Sequence, residues 1–479
     1  MSDTSASNTA DQLPESAFEL RDALRKGTVS ARDVVERSLA RIEARADLGA
    51  FITVTPELAL AEADRADVLL ATDRRSGAAD SPHPETGTLD FAPLRGLPIA
   101  HKDLIDVEGS PTTRGSAALP HLLAKRDSPE AASLRKTGAI SLGKTQVPEF
   151  GLNAYSENLI APPVRNPLDT TRTAGGSSGG IAAAVAAGLV PFAPGSDGGG
   201  SIRIPALACG LVGLKPGLGA IPTDVLSGTV DEFGAPRLGV TGPIARDARD
   251  AALLFDAMRG KHSEPSVAAV RAADGLLGLR IGVSFASPFE SAHPTPISPE
   301  ERAAVETAAT ILAARGHDVE LAEIHFDPRY PEVFAQVWTA GLSLLKLEAE
   351  AEEKLTTLTR TFRRRALERT MSEHQAAAQE LTQIAQSMRE AWGEYDVILT
   401  PGLAFGPPHI GAFTALDADA DYRMQCEWTP FTSMVNVAGL PAIAAPVQTL
   451  PSGLSVGVQM IGEMGREPRL LQLAAQLMG

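Results

Sequence analysis

Apolar residues recur at helical spacing from about residue 17 to residue 71, with a break at Gly27 and with Ser30 as an N-cap for Ala31-Arg32-Asp33-Val34-Val35-Glu36. Inside that stretch Phe51-Ile52-Thr53-Val54 predicts a short strand. Residues 73–93 lose the periodicity and are rich in Gly, Pro, Ser and Asp, which predicts a surface loop. From Leu97 the pattern changes to short apolar runs alternating with amphipathic ones: strand at 97–100, helix at 129–137, strand at 139–142. The alanine- and glycine-rich run 181–194 reads as a buried helix, too short to span a bilayer. Strand, helix and strand return at 279–284, 299–315 and 317–321, and further strands at 396–401 and 454–462. Such alternation predicts an α/β fold around a mostly buried sheet. Residues 330–392 depart from it as long charged helices, a candidate helical, substrate-facing insertion. With no internal repeat and no interdomain linker, residues 14–479 read as one domain behind a disordered tail at 1–13.

Composition changes the functional picture more than the fold. The 59 acidic residues outweigh 43 Lys and Arg for a net charge of −16, so no nucleic-acid partner is expected, because such binding draws on cations against phosphates. Arg360, Arg363, Arg364, Arg365 and Arg369 form the one basic cluster and read as a solvated helix face. Cys209 and Cys426 are too few for a disulfide framework or a cysteine-rich metal site, and they fit a cytoplasmic protein. The first ten residues lack the basic and apolar regions of a secretory signal, and no membrane association is expected.

The candidate chemistry lies in two glycine-serine stretches, Gly175-Gly176-Ser177-Ser178-Gly179-Gly180 and Ser196-Asp197-Gly198-Gly199-Gly200-Ser201. Glycines beside serines let the backbone turn its N–H groups inward, which makes an anion-binding concavity. A flexible linker is disfavoured by the alanine-rich helix that follows, and a phosphate-binding P-loop by the absence of lysine between Lys144 and Lys215. A serine hydroxyl needs a base. Neither stretch holds a histidine; His101, in Gly96-Leu97-Pro98-Ile99-Ala100-His101-Lys102-Asp103, alternates with Lys102 on a strand and reads as structural. Lys102 serves as the base if burial lowers its pKa.

The stretch from Gly175 to Pro216 resembles the signature of the amidase signature family of serine hydrolases, as do Gly143-Lys144-Thr145, Arg165-Asn166-Pro167 and Asn436-Val437-Ala438-Gly439-Leu440-Pro441. The spacings agree: 24 residues separate Ser177 from Ser201, and 99 separate Lys102 from Ser201. The resemblance implies a single catalytic domain with a mixed, twisted sheet of about eleven strands covered by helices on both faces. It implies a Ser-cisSer-Lys triad with Ser201 as nucleophile, Ser177 as relay after a cis peptide bond, and Lys102 as base. It places the oxyanion hole on the N–H groups of Gly198, Gly199, Gly200 and Ser201, with Ser178, Asp197 and Arg203 supporting the loops. No metal and no cofactor are implied. Partners are a small amide or carbamate and water, and a homodimer is left open. Ser196, Gly198 and Gly217 depart from residues common in the family.

Trp428, Phe431, Trp338 and Phe334 are candidate pocket walls for an aryl or apolar group. Thr429 stands where the glutaminase subunits of tRNA-dependent amidotransferases resemble one another in having an aspartate, which weakens a free-glutamine site and leaves Glu427 as the substitute carboxylate. The expected activity is hydrolysis of small aryl or apolar amides or carbamates through an acyl-enzyme; the alternative is the glutaminase subunit itself.

Overall fold

The computed structural model describes residues 15–76, 92–261 and 263–479. The tail expected at 1–13 lies outside these residues, as does 77–91 of the expected loop. Residues 73–76 of that loop are helical, completing Pro56–Ser76. Ser16 caps Ala17–Lys26, which Gly27 ends in the left-handed conformation at φ 73°. Ser30 and Asp33 form a reciprocal capping box at the start of Ala31–Ala44.

The strands are β1 (Phe51–Val54), β2 (Pro98–Lys102), β3 (Ile140–Thr145), β4 (Arg165–Asn166), β5 (Asp169–Thr173), β6 (Phe192–Asp197), β7 (Val212–Lys215), β8 (Val240–Ala245), β9 (Arg280–Val283), β10 (Asp318–Leu321), β11 (Val397–Pro401), β12 (Ala442–Thr449) and β13 (Ser455–Gly462). Eight of them form a sheet in the order β10-β9-β11-β13-β12-β7-β8-β6, three form a second in the order β1-β3-β2, and β4 pairs with β5. The larger sheet is mixed: β9 runs parallel to β10 and β11, and the pairs from β11 to β6 are antiparallel. One continuous sheet of about eleven strands is thus corrected to eight and three. The two sheets meet without a shared backbone ladder where Lys102, ending β2, donates to the Ser196 carbonyl of β6 at 2.9 Å.

The run 181–194 is not one helix. The buried helix Gly179–Ala186 gives way at Gly188, whose φ of 72° suits glycine, to the strand β6. Residues 330–392 fold as Tyr330–Ala340, Thr357–Glu368 and Met371–Trp392 with short turns between the first two. The arginine cluster there is not wholly solvated: Arg363 is buried, bonded to the Leu342 carbonyl and the Glu352 carboxylate.

Ile181, Leu207, Phe255, Val458 and Leu471 belong to the main core, whereas Tyr330, Phe334, Leu381, Trp392 and Met434 form a second cluster. Burial of each such side chain contributes about 1.5–3 kcal/mol relative to exposure. No helix among the described residues is long and apolar enough to cross a membrane.

Candidate active site

The seam between the sheets collects the residues singled out in the sequence. Lys102 ends β2, Ser177 and Ser178 precede the helix Gly179–Ala186, and Ser201 lies between β6 and the helix Arg203–Ala208. Tight packing explains the glycines of the first loop. A Cβ on Gly176 would stand 2.7 Å from Tyr155 N, and one on Gly180 2.5 Å from Ala50 O. The Gly176–Ser177 peptide bond is cis.

Lys102 Nζ donates to Ser177 Oγ at 2.8 Å. Burial pushes the lysine down to about 7, against the opposing pull of Asp197. His101 is also buried, and burial pushes its ring down to about 3, which keeps it neutral. Ser178 Oγ donates to the same Ser196 carbonyl that Lys102 uses, at 3.3 Å, and Ser178 N–H donates to the Ser201 carbonyl at 3.2 Å. These bonds tie the two serine loops together through main chain.

The second loop is wound around Asp197. Its Oδ1 accepts from Gly200 N–H at 2.7 Å, its Oδ2 from Ile202 N–H at 3.0 Å, and both oxygens accept from the Arg203 guanidinium at 2.9 and 3.0 Å. Burial would raise this carboxyl, but Arg203 more than offsets it and holds it well below the usual carboxylate range. Because its N–H is spent on Asp197, Gly200 does not offer a donor to an oxyanion, a correction to the four-donor expectation. The N–H groups of Gly198, Gly199 and Ser201 carry no intramolecular bond among the described residues.

Arg203 continues the network to the Thr432 carbonyl at 2.9 Å, to Gln459 and to Asn436, and Asn436 Nδ2 returns to Asp197 Oδ1 at 2.8 Å. Thr432 Oγ1 donates to the Gly199 carbonyl at 2.6 Å. Asn436 lies in one of the motifs quoted from the sequence; Thr432 and Gln459 carry no signal there, because only the fold brings them to the loop. Beside the network, burial and then Arg203 bring Lys215 down to about 7, and its Nζ donates to the Pro216 carbonyl at 2.8 Å.

Ser201 and Gly199 line a cavity of about 470 Å³ with Phe334, Trp338 and Thr429. Sequence reasoning missed Phe289, Asn153, and Tyr422 with Gln425 in the same wall; the last two share the helix Ala418–Trp428, and the three segments have no common motif. Trp338 packs on the glycine turn: a Cβ on Gly198 would lie 3.2 Å from its ring. Trp428 and Phe431 are outside the lining. Trp428 is fully buried in the main core against Phe413, with its Nε1 on the Phe405 carbonyl at 2.9 Å, and Phe431 is buried beside Gln459, which bonds its carbonyl.

A family model for amidases matches residues 33–471. The putative amidase AmiB2 of Mycobacterium tuberculosis is 37% identical over 465 residues, which cover 95% of this chain and 93% of that protein. A glutamyl-tRNA(Gln) amidotransferase subunit of Ralstonia nicotianae is 34% identical, with 93% of each chain covered. The solved structure of 6-aminohexanoate cyclic dimer hydrolase aligns with a TM-score of 0.81 at 28% identity, over 97% of both chains. The chain therefore belongs to the amidase family and is an amide-bond hydrolase.

Proposed function

We propose that this amidase works through Ser201 as nucleophile, Ser177 as proton relay and Lys102 as base. The observation that carries the reading is the 2.8 Å bond from Lys102 to Ser177, made by a lysine that burial brings to about 7. At and above neutral pH much of this amine is unprotonated and can accept a proton. As Ser201 Oγ attacks the carbonyl carbon, its proton passes to Ser177 Oγ, whose own proton passes to Lys102 Nζ. Reversal of the relay delivers a proton to the leaving nitrogen, so that the C–N bond breaks and an ester to Ser201 remains. Water then attacks that ester by the same route and frees the acid.

The oxygen of the tetrahedral intermediate is held by the N–H groups of Gly198, Gly199 and Ser201. Each such donor is worth on the order of 2.7–4 kcal/mol in related acyl transfers. Phe289, Phe334, Trp338 and Tyr422 around Ser201 favour an aryl or apolar group beside the scissile bond, in small amides or carbamates. The likeness to an amidotransferase subunit supports a second reading as a glutaminase. Thr429, whose hydroxyl is engaged by the Gln425 carbonyl at 2.9 Å, supplies no carboxylate for an amino group there.

The test is amine or ammonia release by the purified chain from glutamine, aliphatic amides, aryl anilides, peptide amides and aryl carbamates, with Ser201→Ala as blank. Turnover of anilides or carbamates but not glutamine is expected, and undiminished turnover by Ser201→Ala would sink the assignment. Release from glutamine alone would favour the second reading.

A further inference from the structure

A second cavity, of about 1010 Å³, adjoins the first. Asn153 stands in the wall of both. The 2.8 Å hydrogen bond from Gln425 to Asp421 continues the partition, with Gln425 on the Ser201 side and Asp421 on the other. The lining changes across this line: Phe289, Phe334 and Trp338 stay on the Ser201 side, and the carboxylates of Glu157, Glu353 and Asp421, with Arg360 as the cation, face the larger cavity beside Tyr155 and several leucines. Arg360 is engaged elsewhere, donating to the main-chain carbonyls of Glu353 and Leu355 at 3.1 and 3.0 Å.

Glu157 accepts from Gly411 N–H at 3.0 Å and from the Thr414 hydroxyl at 3.3 Å, and Asp421 accepts from the Tyr155 hydroxyl at 2.7 Å and from Gln425. These are neutral donors, and neither carboxylate has an ion-pair partner among the described residues. Burial raises both carboxyls, and the charge of Glu157 raises Asp421 further, the direction of neighbouring acids that lack a cation. The independent observation is Asn153: the residue is 5% exposed, and its side-chain oxygen is shielded from water and accepts no hydrogen bond. Buried amide oxygens are rarely left unpaired, which points to a donor that arrives with a ligand.

A group that donates several hydrogen bonds and carries a positive charge meets all of these conditions. We propose that the cavity receives a protonated primary amine at the far end of the amide substrate, with Asn153 Oδ1 and the carboxylates of Glu157 and Asp421 as acceptors. The substrate class is then ω-amino amides: an amide carbonyl at Ser201, an apolar stretch past the aromatic wall, and an ammonium beyond Asn153. The inference rests on the amidase reading of the Ser201 site.

Two series of 4-nitroanilides test it, ω-aminoalkanoyl and n-alkanoyl, matched in chain length. For the wild-type chain the amine-tailed anilide of best length is expected to exceed its alkyl twin about 10-fold or more in kcat/KM, mainly through KM, as a charge-assisted contact implies. The isosteric Glu157→Gln and the truncation Asn153→Ala should each bring that ratio close to one. Calorimetry on Ser201→Ala should show the same preference without turnover. If both tails are cleaved equally, or bind Ser201→Ala equally, the subsite is overturned and the hydrolase reading stands. Tail-selective binding with no cleavage by the wild type keeps the subsite and overturns the proposed Ser201 reading for these amides, and failure of both binding and cleavage overturns both. Butylammonium should compete with the anilide; binding without competition also overturns the subsite.

Discussion

The proposed role of Lys102 as base depends on where the lysine sits. At its ordinary pKa Lys102 would be almost wholly protonated at neutral pH; fully buried at the end of β2, it is lowered to about 7. The sign of the pH dependence follows, since the unprotonated fraction grows as pH rises through that value. The kcat/KM is expected to climb from pH 6 to about 8 and then level, approaching roughly tenfold per unit at the acid end. A pH–rate profile on an anilide checks this, and an optimum below pH 6 would remove lysine as base. Asp197 shows the opposite balance: burial pushes its carboxyl up, and Arg203 more than offsets this and keeps it ionised.

At the scale of elements, the two serine loops are strand-to-helix and loop-to-helix turns shaped by what surrounds them. Gly200 has φ 131°, and a Cβ there would stand 2.4 Å from Thr432 Oγ1 and 2.6 Å from Ile204. Gly200→Ala is therefore expected to displace Thr432 from the Gly199 carbonyl and misplace the Gly199 N–H. A loss of about 10²–10³ in kcat is expected, with KM much less affected. Steady-state kinetics separates the two. These loops were legible in the sequence because their chemistry is local: glycines, serines and Asp197 with Arg203 lie within a few residues of one another. The cavity wall was not. Periodicity marks Trp428 and Phe431 as large and apolar but cannot say which way they face, and both pack inward. Phe289 and Tyr422 reach Ser201 only through contacts far apart in sequence. The run 181–194 misled for a related reason, since alanine and glycine suit a buried helix and a buried strand alike.

Over the whole molecule, the helices of residues 330–392 supply Phe334 and Trp338 to the cavity and are tethered to the smaller sheet's side by Glu149. One oxygen of this buried carboxylate accepts from Ser116 Oγ at 2.7 Å, and the other from Thr356 N–H and Oγ1 at 2.9 and 2.7 Å, at the start of the helix Thr357–Glu368. Glu149→Gln would turn an amide N–H₂ toward one set of donors. The expected cost is about 1–3 kcal/mol of stability, seen as a lower Tm by scanning calorimetry, with a raised KM as the aromatic wall loosens. The seam between the sheets has a consequence of a different kind. Ladders hold each sheet together, but β2 and β6 share none: they are joined by core packing and by the Lys102 side chain on the Ser196 carbonyl, and the proposed relay runs across that junction. In a urea titration the enzyme should accordingly fall silent at concentrations that leave its far-ultraviolet circular dichroism intact, because a slight opening at a junction without a ladder is sufficient to part Lys102 from Ser177.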